Sequence, residues 1–157
     1  MKIEIDFTNN IIPTKFGKGA EPNDMISGNP IRSFPFSVTD LPKGTKSLAI
    51  TMIDFDAVAV CGFPWIHWVV TDIPVTNTIV EIIENFSRLK NAEQLRGKNS
   101  FASGLLQDDF SEIENLFVGP TPPDKDHNYI LTVYALSGNL EINEGFYLNE
   151  LLIKTKK

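Results

Sequence analysis

Trp65-Ile66-His67-Trp68-Val69-Val70-Thr71-Asp72-Ile73 is the stretch on which the fold turns. It is rich in β-branched and aromatic residues, lacks glycine and proline, and is apolar at adjacent as well as alternate positions. That pattern predicts a strand buried on both faces. Two further runs read the same way: Ser47-Leu48-Ala49-Ile50-Thr51-Met52-Ile53-Asp54, and Asn128-Tyr129-Ile130-Leu131-Thr132-Val133-Tyr134-Ala135-Leu136. All three are expected centrally in a sandwich. Weaker strands are expected at residues 2–7 and 34–38, an irregular polar stretch at 8–32, and a turn at Leu41-Pro42-Lys43-Gly44-Thr45. Ten prolines and ten glycines cut the chain into short pieces, as in an antiparallel, mainly β fold. Residues 78–86 suit either a helix or a strand, because their β-branched content fits both. Residues 143–154 predict a short C-terminal helix, with Asn143 as N-cap and Phe146, Leu148, Leu151 and Leu152 near one face. No repeat or domain boundary is visible, which predicts a single domain over residues 1–157.

The chain has 157 residues, enough to bury a core, with 42% hydrophobic and 22% charged residues. Fourteen basic residues against twenty acidic ones leave a net charge of −6. Such a surface repels nucleic-acid phosphates and anionic membranes, so neither is expected as a partner. No apolar run approaches a membrane span, and the first residues alternate polar and apolar rather than forming a signal peptide. The single cysteine, Cys61, permits no intrachain disulfide. These features predict a cytoplasmic protein. Asn85-Phe86-Ser87 matches a glycosylation sequon, a pattern short enough to arise by chance.

Both histidines of the chain, His67 and His127, fall in or beside predicted central strands. Strand alternation places Trp65, His67, Val69 and Thr71 on one face, and His127, Tyr129, Leu131, Val133 and Ala135 on one face of the last strand. Asp54 shares a face with Leu48, Ile50 and Met52. Three ionisable groups thus lie in line with apolar neighbours, where an unpartnered charge costs several kcal/mol. The economical expectation is that they meet one another. The plain alternative is a pair of core histidines, each bonded to a backbone carbonyl.

Four blocks then resemble the phosphatidylethanolamine-binding protein family, in its bacterial Raf kinase inhibitor-like branch. Asp54-Phe55-Asp56-Ala57-Val58 resembles its Asp-Pro-Asp-Ala-Pro motif, and Trp65-Ile66-His67-Trp68 its Trp-x-His-Trp/Phe strand. Gly97-Lys98-Asn99-Ser100-Phe101 resembles a Gly-Arg/Lys-Asn segment. Gly119-Pro120-Thr121-Pro122-Pro123 with His127-Asn128-Tyr129 resembles the Gly-Pro-x-Pro-Pro…His-x-Tyr signature. The blocks stand in family order across about residues 30–150. The resemblance implies a Greek-key β-sandwich with short peripheral helices and a small pocket for phosphate, carboxylate or phosphoethanolamine-like groups, such as a phospholipid headgroup. Carried over by motif, Asp54, His67, His127 and Tyr129 are the ligand-binding residues, and Asp56, Trp65, Gly119 and Pro120 form wall or support. Tyr129 would offer a hydroxyl, each histidine a ring N–H, and the backbone near Gly119 a further N–H. The implied role is non-enzymatic binding of a small anion or a phosphorylated group. Extensions are regulation of a protein partner, in the manner of a kinase inhibitor, and homodimer formation. No cofactor is implied.

The chain departs from the family pattern in three places. Phe55 and Val58 stand where the family has prolines. Phe63-Pro64 occupies the place of a cis bond, and since proline lowers the cis penalty to about 0.5–1 kcal/mol, Pro64 is predicted cis. The segment between Phe101 and Gly119 is longer than in the family, and residues 99–124 carry Asp108, Asp109, Glu112, Glu114 and Asp124 without lysine or arginine. Folded over the pocket mouth they would oppose a multiply charged ligand; otherwise they form a solvated loop. The enzyme alternative is a hydrolase using His67, His127 and Asp54, with Ser100, Ser103 or Cys61 nearby in sequence but no Gly-x-Ser-x-Gly elbow. A metal site from His67, His127, Asp54 and Asp56 is chemically reasonable but has no supporting spacing. A third alternative makes the pocket vestigial and exposed apolar residues of 79–118 an oligomer interface.

Overall fold

The computed structural model describes residues 1–89 and 93–156. In chain order these form β1 (Lys2–Glu4), β2 (Met25–Ile26), β3 (Asn29–Pro30), β4 (Phe36–Thr39), β5 (Ser47–Asp54), α1 (Val58–Cys61), β6 (Trp65–Pro74), β7 (Val80–Ile82), β8 (Leu95–Arg96), β9 (Tyr129–Leu136) and α2 (Leu148–Lys154). The larger sheet runs β8-β6-β5-β9 and the smaller β1-β4-β7, with β2 and β3 as a separate hairpin. Every pairing is antiparallel. After β6 the chain crosses to the smaller sheet at β7. It comes back to β6 with β8 and, after a long connection, returns beside β5 as β9, a Greek-key path.

The two sheets share one core. Leu48, Ile50, Met52, Trp68, Val70 and Val133 from the larger sheet pack with Phe36, Val38, Val80 and Ile82 from the smaller. Phe16, Phe34 and Phe117 join them from loops. The outer face of the larger sheet is covered too: Ala49, Val69 and Leu136 pack against Phe146 and Leu151. Coverage on both sides explains why β5 and β6 are apolar at adjacent positions. The mainly β sandwich with a C-terminal helix is thus the observed fold, except that β9 lies at a sheet edge rather than centrally.

Several boundaries differ from the sequence expectation for local reasons. The first strand stops at Glu4 because the β1–β4 register, Lys2 opposite Thr39 and Glu4 opposite Ser37, continues through Ile5 opposite Phe36 to Asp6 opposite Pro35, which has no N–H to pair. The 78–86 segment resolves as a strand, β7 on β4, after which Asn85 takes a left-handed φ of 65°. The C-terminal helix begins at Leu148, capped at Tyr147 rather than Asn143. The Glu150 carboxylate accepts the Tyr147 N–H at 2.8 Å, and the Glu144 side chain is tied to the Arg96 N–H at 2.7 Å. The chain at 143–147 is therefore anchored before the helix can start. The Phe63–Pro64 peptide is trans, as are all peptide bonds among the described residues. This corrects the expected cis Pro64: even before proline trans is the lower-energy isomer, and it leaves Phe63 stacked on Trp65 at 5.9 Å.

One irregularity decides where the site lies. Met52 pairs with Trp68 but Ile53 pairs with Ile66, so His67 is an extra residue without a cross-strand partner. This is a β-bulge, which turns a side chain away from simple alternation. Val69 packs on the α2 side of the sheet, where alternation would also have put His67. Instead the His67 ring meets Tyr129 edge-on at 5.2 Å, and Tyr129 packs on the core between the sheets. The expected common face of Trp65, His67, Val69 and Thr71 is therefore broken at His67. Among the described residues no helix is long and apolar enough to cross a membrane.

Gly119 locks the loop beside this bulge. Its N–H donates to the Pro30 carbonyl at 2.8 Å, and a side-chain carbon on it would overlap the Phe16 carbonyl oxygen. Gly119→Ala is expected to lower unfolding stability by about 2–3 kcal/mol, read as a fall in the urea midpoint. An unchanged midpoint would mean that the contact yields at no cost.

Candidate functional site

Asp54 ends the central strand β5, in register with Trp65 on one side and Tyr129 on the other. It is 4% exposed, so its oxygens require donors. Oδ1 accepts the Ala57 N–H at 3.0 Å, and Oδ2 accepts from Nδ1 of His127 at 2.7 Å. Two residues on, Asp56 accepts both the backbone N–H of Asn128 at 2.8 Å and its side-chain amide at 3.0 Å. Those Asn128 donors hold the Asp56 carboxyl below its usual range. Two carboxylates at alternate positions thus clamp the 127–128 segment onto the strand end.

The two histidines differ in state. Nδ1 of His67 donates to the Val118 carbonyl at 2.6 Å, and the Val118 N–H returns a bond to the His67 carbonyl at 3.0 Å. This fixes the tautomer and leaves Nε2 as an acceptor. Burial pushes the His67 pKa down, against the opposing pull of Val118 and Asp54. His127 faces carboxylate oxygens from both nitrogens, Asp54 at 2.7 Å and Asp124 at 2.9 Å from Nε2. Each nitrogen is therefore placed to donate to a carboxylate, which favours the doubly protonated ring. Asp54 holds the His127 pKa up, and Asp124 adds to it against the opposing effect of burial. One ring is neutral at pH 7 and the other is biased toward imidazolium.

Asp54, His67, His127 and Tyr129 all line one cavity of about 220 Å³. Trp65, Phe101, Val118 and Pro122 give it largely apolar walls. The Tyr129 hydroxyl is buried and has no hydrogen-bond partner among the described residues. Burial, with Asp54 next, lifts its pKa well above the usual phenol range, so it remains a donor. A larger, more open depression of about 850 Å³ lies between residues 39–45 and 75–79, but it contains no histidine, tyrosine or basic residue and offers no comparable chemistry.

Of the expected wall residues, Trp65 and Gly119 line the cavity, whereas Asp56 and Pro120 do not. Asp56 braces the site through Asn128, and Pro120 backs onto Gly17. The Gly119 N–H is not a free donor, because Pro30 takes it. Nor does either histidine offer a free N–H in this arrangement. Ser100 is a structural residue: its hydroxyl accepts the Ile66 N–H at 2.8 Å. The Cys61 thiol, at the cavity edge, donates to the Ala57 and Phe63 carbonyls, each at 3.3 Å. Among the described residues no three of His, Cys, Asp and Glu come together as a metal-ligand group.

Three contributors lie outside the expected ligand and wall residues, although Asn99 stands in a family-like block and Asp124 in the acidic segment expected either over the mouth or in solvent. The Val118 carbonyl orients His67 but carries no side-chain signal. Asn99 is 3% exposed and donates to the carbonyls of Ile113 and Leu116 at 2.7 and 2.8 Å, holding the 113–118 loop in place. Asp124 engages His127 from three residues away. The rest of the acidic 99–124 segment turns elsewhere. Asp108, Asp109 and Glu112 are exposed, and Glu114 pairs with Lys98.

The family model for phosphatidylethanolamine-binding proteins matches residues 4–157. The Bacillus subtilis (strain 168) protein YxkA, itself called uncharacterized, is 46% identical over 143 residues, which cover 91% of this chain and 84% of YxkA. Two crystal structures resemble the fold. CT736 of Chlamydia trachomatis, described as a homolog of phosphatidylethanolamine-binding protein, gives a TM-score of 0.65 at 26% identity, covering 92% of this chain and 78% of its own. YbcL of Escherichia coli, described as a member of the mammalian family of that name, gives 0.63 at 25% identity, covering 89% and 76%.

The opposed shifts of the two histidines give a direct test. In imidazole NMR, His67 is expected to titrate below about 6.5 and His127 above it. A raised pKa lends stability that is complete below the unfolded value and lost as pH rises through the folded one. Asp54→Asn removes the first cause of the His127 shift, so its penalty to unfolding stability is expected to be larger at pH 6 than at pH 9. A pH-independent penalty would show that the pair is not an ion pair.

Proposed function

The chain belongs to the phosphatidylethanolamine-binding protein family, and from that premise we propose that it is a non-enzymatic binding protein for a small anionic oxygen group, carboxylate or phosphate. The observation that carries this is the Tyr129 hydroxyl, buried without a partner in the cavity that His67 and His127 also line. A buried donor without an acceptor costs about 1–3 kcal/mol, and an oxyanion supplies that acceptor. His67 is the complementary group. Its free Nε2 meets an oxygen only with a proton between them, either the ligand's or one taken up on binding. A phosphorylated metabolite, a lipid headgroup and a phosphorylated side chain of a partner protein share this chemistry, the last corresponding to a regulatory role.

The hydrolase alternative requires a nucleophilic side chain or an ordered water within hydrogen-bond reach of a histidine. The ring hydrogen bonds of His67 and His127 go instead to a carbonyl and two carboxylates, which favours binding over turnover. For self-association, Ile79, Ile83, Leu89 and Leu105 are exposed, and a homodimer through this region would cover them. Sedimentation over a concentration series reads that out, and a concentration-independent monomer would reject it.

Titration of acetate, phosphate and phosphoethanolamine, followed by histidine NMR and calorimetry, tests the binding role. Tyr129→Phe is expected to weaken the anion that binds by about tenfold or more while leaving unfolding stability unchanged or slightly higher, because an orphaned hydroxyl is removed. Since His67 starts neutral and gains a proton on meeting an anion, affinity is expected to fall as pH rises above neutrality, approaching about tenfold per pH unit. Equal affinity in wild type and Tyr129→Phe would remove the basis of the proposal.

A further inference from the structure

His127 is the cavity ring that its neighbours bias toward imidazolium, yet both its nitrogens are already engaged. Nδ1 serves Asp54 at 2.7 Å and Nε2 serves Asp124 at 2.9 Å. The two carboxylates are held very differently. The Asp54 side chain is 5% exposed and also bonded to Ala57. The Asp124 side chain is 45% exposed and lies on the same loop as the ring it caps. We propose that Asp124 is a specificity-determining residue: its carboxylate occupies the anion position on His127, and the site therefore accepts singly charged anions and rejects multiply charged ones. This rests on the binding role proposed above.

Charge balance carries the inference. The charged groups acting on the ring and the neighbouring phenol are Asp54 at the end of β5, Asp56 just after it, and Asp124 and Asp126 from the loop before β9, while Lys125 acts on Asp56. From β6 comes His67, neutral at pH 7. Asp54 and Asp124 thus hold the ring directly, and Asp56 and Asp126 add negative charge nearby, offset in part by Lys125 beside Asp56. A ligand anion reaching Nε2 must displace the Asp124 carboxylate. For a monoanion the exchange is one negative charge for another, and the local field is unchanged. A dianion adds a further negative charge to a site already acidic, in a cavity whose apolar walls weaken screening. Asp124 is suited to the exchange because it is the exposed partner and can turn to water, whereas Asp54 cannot leave without stranding a buried charge.

The test compares wild type with Asp124→Asn, which removes the charge, and Asp124→Ala, which also frees the N–H. Histidine NMR of the free proteins is read first, and both variants are expected to move the His127 titration down. Calorimetry with inorganic phosphate and with acetate follows, at a pH where phosphate is mainly dianionic. Both variants are expected to bind phosphate at least about tenfold more tightly than wild type, with a clearly smaller gain for acetate. Equal gains for the two anions, or no gain, would overturn the role of Asp124 while leaving anion binding intact. Failure of either anion to bind any of the three proteins would overturn the binding role and the selectivity together.

Discussion

A carboxylate at the end of a doubly covered strand is the constraint on which this site depends. Asp54 cannot be solvated where β5 ends, 4% exposed between Trp65 and Tyr129. It is stable there only if donors come to it. Ala57 brings one from the turn that follows, and His127 brings another from just before the last strand, 73 residues later. Asp56 repeats the device one step outward with Asn128. The last strand is thereby fixed in register at the end where Tyr129 and His127 face the cavity. The cavity is a consequence of satisfying that one buried charge, and its polar groups are arranged before any ligand arrives.

The second imidazole is placed by backbone alone. The bulge at His67 removes it from the alternation of β6, and Val118 holds it through two hydrogen bonds in opposite directions. Ser100 takes the N–H of the preceding Ile66, so the polar groups of the bulged edge are met by the 99–118 loop rather than by another strand. That loop is itself organised by Asn99. The Gly-Lys-Asn-Ser segment, which resembles a family motif, therefore serves the site at one remove: it supports the wall from which His67 hangs.

Much of this was legible in the chain. Apolar residues at adjacent positions of 47–54 and 65–73 mark strands covered on both sides, and the two sheets and C-terminal helix bear that out. The cost of stranding a buried charge was enough to expect Asp54 to meet a histidine. What the sequence did not disclose depends on distant partners. No glycine or proline marks the bulge at His67, because it arises from the pairing of β6 with β5. The tautomer of His67 depends on a carbonyl 51 residues away. Strand ends were misjudged where a neighbour's proline interrupts pairing, as Pro35 does for β1. The motif resemblance supplied the cast of side chains but not their protonation states, which follow from contacts that motifs do not record.

Those protonation states bear more on recognition than the inventory does. Two histidines, a tyrosine and an aspartate would, on paper, make a cationic anion trap. In place, one histidine is kept neutral by burial and the other is surrounded by acid. Among the described residues that line the cavity, the buried polar atom left without a partner is the phenol oxygen of Tyr129, whose pKa lies far above neutrality. Under the proposed role, such a cavity would hold an anion through local hydrogen bonding and proton uptake rather than through net field, which at −6 for the chain opposes it. Long-range attraction draws in any anion, whereas local donors demand a fit of charge and geometry. Under the proposed role, a negatively charged protein would rely on the second, and the acidic surroundings of His127 would then filter which anions stay.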